Sequence, residues 1–157
     1  LLLNYVERRK GTHELECYGD GPFRHLIESS VCDNIHYQGS FKNPEGLYSI
    51  YNSIDLNYVV YDNKDKNVQL AIPNKLFESA FFSVPILCGE NTALGTLSVN
   101  WGIGGLVSIK NQETFDFEMD NITYRWILEK SNNCLRIPEA KLIDDGDMRI
   151  FDLLELL

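Results

Sequence analysis

Apolar residues recur along this chain with two periods, and each change of period predicts a new element. Leu2, Leu3 and Val6 share one face of an opening helix, which Gly11 ends. In HELECYG (His13–Gly19) Leu15 and Cys17 alternate with Glu14 and Glu16, the pattern of a half-buried strand. A turn at Gly19–Pro22 leads to Val31, Ile35 and Tyr37, whose even spacing predicts a second strand. Asn43 and Pro44 suit the cap and first position of a helix, with Leu47, Ile50, Tyr51 and Ile54 as its stripe. LNYVVYD (Leu56–Asp62) reads as a strand, DNKDKN as a polar loop, and Asn74–Ala80 as a short helix.

The stretch SAFFSVPILCGENTALGTLSVNWG (Ser79–Gly102) predicts a hairpin. FFSVPIL and LGTLSVNW flank Cys88–Ala93, where Gly89 and Asn91 supply turn chemistry. Pro85 has no N–H to donate, which predicts an edge strand or a bulge there. Strand alternation puts Leu94, Thr96, Ser98 and Asn100 on one face, and Gly95, Leu97, Val99 and Trp101 on the other. The first set suits a pocket wall or, more plainly, a face toward water. GIGG (Gly102–Gly105) reads as a mobile loop, alternatively as backbone N–H groups for an anion.

The last helix is TFDFEMDNITYRWILEKSNN, with Thr114 as cap and Asp116, Glu118 and Asp120 toward the positive end of its dipole. Phe115, Met119, Ile122 and Trp126 predict its buried face, and the glycosylation-type pattern NIT (Asn121–Thr123) falls mid-helix. From Cys134 the character changes: Pro138 stops the helix, IDDGD is a turn, and MRIFDLLELL needs a partner surface. The division expected is a domain over 1–133 and an extension or linker over 134–157. The order of elements predicts an α+β fold, an antiparallel sheet flanked by helices.

Several of these segments, in this order, resemble the GAF family of small-molecule sensory domains. EGLYSIYNS carries a glycine (Gly46) and an apolar stripe, and LNYVVYDNKDKN a strand ending in Asp62 with Asp65 beyond it. SVPIL and LGTLSV resemble a paired serine–valine–proline strand and glycine–serine strand, and TFDFEMD the start of a last helix. The resemblance covers Gly46 to about Lys130. It implies a GAF/PAS-like antiparallel sheet with a ligand pocket on one face, dimerisation through the first and last helices, and regulation of a neighbouring effector domain. The candidate ligand-binding residues are Asp62, Lys75, Phe82, Thr96, Ser98 and Asn100. Two other readings stand beside this one: a ligand-free dimerisation module, and a thiol reductase of methionine sulfoxide.

Composition narrows the partners. The 157 residues carry a net charge of −9, which repels phosphate backbones and argues against nucleic acid; ERRK (Glu7–Lys10) is the densest basic run. No stretch approaches the length of a membrane span. Cys17, Cys32, Cys88 and Cys134 form no C-x-x-C pair, so reduced thiols and a cytoplasmic setting are expected. Asn74–Lys75 matches part of a cyclic-nucleotide signature of the family, but the downstream Asp-Glu spacing is missing. VCD (Val31–Asp33) faintly resembles the reductase context, yet Asp33 beside Cys32 opposes a thiolate. His13, His25 and His36 lack metal-ligand spacing, and no catalytic elbow or P-loop occurs. The reading is therefore of a non-catalytic domain whose ligand and cofactor the sequence leaves unknown.

Overall fold

The computed structural model describes residues 1–142 apart from Phe23. Along the chain the elements are α1 (Leu2–Glu7), β1 (Leu15–Tyr18), α2 (Arg24–Glu28), β2 (Ile35–Gly39) and α3 (Leu47–Ser53). Then come β3 (Asn57–Val59), α4 (Lys66–Leu70), α5 (Lys75–Phe81), β4 (Ile86–Gly89), α6 (Ala93–Asn100) and β5 (Gly104–Val107). α7 (Gln112–Asp120), α8 (Tyr124–Cys134) and a 3₁₀ turn (Glu139–Lys141) close the described chain. These elements form two compact units: Leu1–Asn52 with Ser108–Asn121, and Ser53–Val107 with Ile122–Leu157. The predicted IDDGD turn and the apolar run behind it lie outside the described residues.

The expected antiparallel sheet is not what the chain builds. Both sheets are parallel: β1 pairs with β2, and the larger sheet has the order β3-β4-β5. LGTLSVNW is not the second arm of a hairpin but helix α6, capped by Thr92, whose hydroxyl accepts from the Gly95 amide. Leu94, Gly95 and Ser98 are its buried residues, an i, i+1, i+4 face in place of strand alternation. The segment carries both periods, since Leu94, Leu97, Ser98 and Trp101 also fit a helix; a short apolar run does not separate the two. Pro85 lies just before β4, which is the central strand, neither at an edge nor in a bulge. Parallel strands need long crossovers, and α4–α5 and α6 are those crossovers.

In the first unit, α1 packs on β2 and carries the buried Tyr5 and Val6. The Tyr5 ring meets His13 and Phe115 edge-on at 5.4 and 6.0 Å, and the Arg9 guanidinium lies 3.6 Å over it. Its hydroxyl donates to Asp120 at 2.9 Å, Arg9 reaches the same carboxylate at 2.5 Å, and Arg8 reaches Asp116 at 2.5 Å. Burial, then the bond to Asp120, pushes the Tyr5 hydroxyl from 10.0 up to about 12. The bond from Tyr5, then that from Arg9, holds Asp120 below the ordinary 3.8, and Gln112 and Arg8 do the same for Asp116. Tyr5 therefore contributes stability that is complete below pH 10.0 and is lost as pH rises toward about 12. The two aspartates contribute stability present above 3.8 and lost as pH falls through their lowered values. Urea midpoints measured across pH should fall at both ends. Tyr5→Phe should make the alkaline fall smaller, with Tyr58, Cys88 and Cys134, also raised by burial, supplying the rest.

In the second unit the strand order advances one way, so right-handed crossovers place α5 and α6 on one face of the sheet. The core there joins Val59, Leu76, Ala80, Ile86, Cys88, Leu94, Ile103 and Cys134. Gly104 lets α6 approach β5: a Cβ on it would stand 2.6 Å from the Ile86 carbonyl oxygen and 2.8 Å from Ser98 Cβ. On the other face, a Cβ on Gly105 would meet the Trp126 ring at 2.9 Å and Leu87 at 3.3 Å. GIGG is thus a turn at Gly102 that leads into strand β5, not a loop throughout. The predicted single last helix is two, α7 and α8, broken at Asn121–Thr123 with Asn111 and Thr123 as caps. NIT accordingly lies in that break, and the proposed four-residue face divides: Phe115 and Met119 are buried in α7, while Ile122 precedes α8 and Trp126 is only half-buried in it.

Candidate functional site

Parallel strands carry their carboxyl ends on one side of the sheet, so the loops that leave them gather there. Here the carboxyl ends of β3 and β4 open into a cleft of about 270 Å³. The strands supply Val59 and Gly89 to its wall, and the loop after β3 supplies Tyr61. α4 and the residues after it supply Asn67, Val68, Ala71 and Pro73, and the start of α6 adds Thr92 and Leu94. α4 holds its place because Asp65 caps it, its carboxylate accepting from the Asn67 amide at 2.8 Å. The loop before it is tied across to β4: Gln69 donates to the Asn63 carbonyl, and Asn63 donates to the Glu90 carbonyl. Thr92 is spent on structure, donating to the Gly89 carbonyl at 2.9 Å while capping α6.

None of the six residues expected at a ligand site lines this cleft. Asp62 is exposed in the loop after β3, where its carboxylate accepts from the Lys64 amide. Lys75 opens α5 and pairs with Glu78 at 2.8 Å, and Phe82 stacks edge-on with Phe81 just past that helix. Thr96 is exposed and bonds back to the Thr92 carbonyl, and Asn100 ends α6, also exposed. Ser98 is fully buried, donating to the Gly95 carbonyl on the face that packs against β5. The lining residues that were passed over had a legible signal. ENT after the apolar run VPILC is a strand end followed by a helix cap, and the cleft lies at that junction.

The thiols are ordinary packing groups. Burial pushes Cys88 and Cys134 up to about 11 each, and raises Cys17 as well. Cys32 is raised chiefly by its bond to the Glu7 carboxylate, which its Sγ meets at 3.0 Å. A raised thiol holds little nucleophilic thiolate near neutrality. Alkylation of the native protein at neutral pH should therefore be slow at all four, slowest at Cys88 and Cys134, with mass spectrometry locating the label. Glu7→Gln should speed the reaction at Cys32. Fast labelling of Cys88 in the folded protein would contradict the burial of β4.

Among the described residues no group of three or more His, Cys, Asp or Glu is placed to hold a metal ion. Also among them, no helix is long and apolar enough to cross a membrane. Compared with known proteins, the chain matches no family model and no curated protein, so its functional reading rests on the cleft and its chemistry.

Proposed function

We propose that the second unit is a small-molecule-binding regulatory module of a cytoplasmic protein, which relays occupancy of its cleft to a neighbouring effector domain. The observation that carries this reading is the cleft of about 270 Å³ at the carboxyl ends of β3 and β4. Its walls come from two elements of different rigidity. Leu94 belongs to the packed core, whereas α4 is a five-residue helix with no buried residue. A ligand that touches both favours one arrangement of α4 over others, which is a population shift with a readable structural consequence. Leu70, the last residue of that helix, and Ile72 just past it are exposed and give the shift an apolar surface through which to act. The raised thiols favour a binding role over thiol chemistry, and four unpaired cysteines suit a reducing compartment.

The test is a thermal-shift screen of the full chain against cyclic nucleotides, purines, amino acids and neutral aromatic compounds, paired with Val68→Phe, which fills the cleft. A ligand at a hundredfold excess over its Kd adds about 2.7 kcal/mol, a shift of several degrees. The expected result is a compound that raises Tm of the wild type and not of Val68→Phe. A screen in which no compound shifts the wild type, or in which each hit shifts both proteins equally, would overturn the reading.

A further inference from the structure

The cleft wall is uncharged. Apart from the Tyr61 phenol, none of the side chains lining it is ionisable. A charge carried into it finds no counter-charge there, and burying an unpaired charge is heavily penalised. The net charge of −9 adds a long-range bias against anions. Val59, Val68, Ala71, Pro73 and Leu94 supply an apolar surface, and Tyr61, 49% exposed, offers a ring face at the mouth. Polar recognition is scarce. The Thr92 hydroxyl already donates to Gly89 and accepts from Gly95. The side-chain amide of Asn67 makes no hydrogen bond among the described residues; its backbone N–H donates to Asp65 and its carbonyl accepts from the Ala71 N–H. A volume of about 270 Å³ lies at the small end of ligand pockets.

We infer that the cleft selects an uncharged, mostly apolar ring compound that offers a single hydrogen-bonding group to Asn67, an inference that rests on the small-molecule reading above. The amide supplies both a donor and an acceptor, so it orients a ring N–H or a ring carbonyl equally well. The apolar wall supplies the affinity, and exclusion of charge supplies the discrimination.

Calorimetric titration of the full chain with four probes on one ring tests this: indole, 1-methylindole, indole-3-carboxylate and 3-(aminomethyl)indole. Indole is expected to bind about tenfold or more tightly than the carboxylate and the ammonium. It should also bind several-fold more tightly than 1-methylindole, which cannot donate. In Asn67→Leu that last difference should vanish while the discrimination against charge persists. Asn67 is exposed, so the variant keeps its fold, which circular dichroism checks. Binding of either charged indole as tightly as indole overturns the inference, as does an Asn67→Leu protein that still separates indole from 1-methylindole. If no indole binds while other compounds stabilise the wild type but not Val68→Phe, the inference falls and the small-molecule reading stands. If no compound of any class binds the folded protein, both fall.

Discussion

Phe115→Ala should lower the stability of the first unit by about 3–5 kcal/mol, the largest loss expected from any single truncation there. Phe115 is 0% exposed and meets the Tyr5 ring edge-on at 6.0 Å. Tyr5 in turn carries His13, Arg9 and the bond to Asp120, so removing the phenyl ring opens a void beneath the whole cluster. The cost has two parts: the transfer of the lost ring and the cavity left where the surroundings cannot collapse. Phe117, two residues on and 71% exposed, is the internal control, and its truncation should change stability by less than about 0.5 kcal/mol. Urea unfolding followed by circular dichroism measures both. Equal losses at the two positions would mean that α7 presents a different face from the one described.

Gly104→Ala should cost the second unit about 3 kcal/mol by overpacking. The new methyl would stand 2.6 Å from the Ile86 carbonyl oxygen and 2.8 Å from Ser98 Cβ. Neither neighbour is the free end of a side chain: one is backbone of the central strand, the other the first side-chain carbon of α6. Relief therefore requires strand and helix to separate. Gly105→Ala is the comparison, because its methyl meets the Trp126 ring and the end of Leu87, side-chain atoms rather than backbone. It should cost less. A hairpin built from LGTLSVNW would leave Gly104 in a loop and tolerant of alanine, so a near-neutral Gly104→Ala would contradict the parallel sheet.

In the first unit α1, β1, β2 and α3 were legible because their signals are local. By contrast α2 was not read, and Val31, expected in the second strand, lies exposed before it. Leu15 and Cys17 alternate, Ile35 and Tyr37 alternate, and both segments are strands. β3 and α5 were likewise found, with boundaries moved by a few residues. What the sequence did not disclose was pairing direction, a tertiary property. VPILC is an unbroken apolar run because β4 is buried on both faces at the centre of a parallel sheet. Read by itself, the same run fits one arm of a hairpin. The misassignment of α6 followed from that, since Gly95, Thr96 and Val99 are residues helices disfavour. Gly95 and Gly104 are small because helix and sheet approach closely, a packing reason that no periodicity reports. The break at Asn121–Thr123 was hidden because Thr123 serves as a cap inside a sequence that otherwise continues a helical pattern. The site was missed for the same cause as the fold. Once LGTLSVNW is a helix, Thr96 and Asn100 leave the sheet face, and the crevice moves to the strand ends.

Amide chemical-shift mapping by two-dimensional NMR shows directly where a small molecule sits. With indole added to the full chain, the largest shifts are expected at Asn67, Val68, Gly89, Thr92 and Leu94. The amides of Phe82, Asn100 and the first unit should stay near their starting positions. Saturable shifts centred instead on Phe82 and Asn100, or indole binding that leaves Gly89 and Thr92 unmoved, would contradict binding in the cleft.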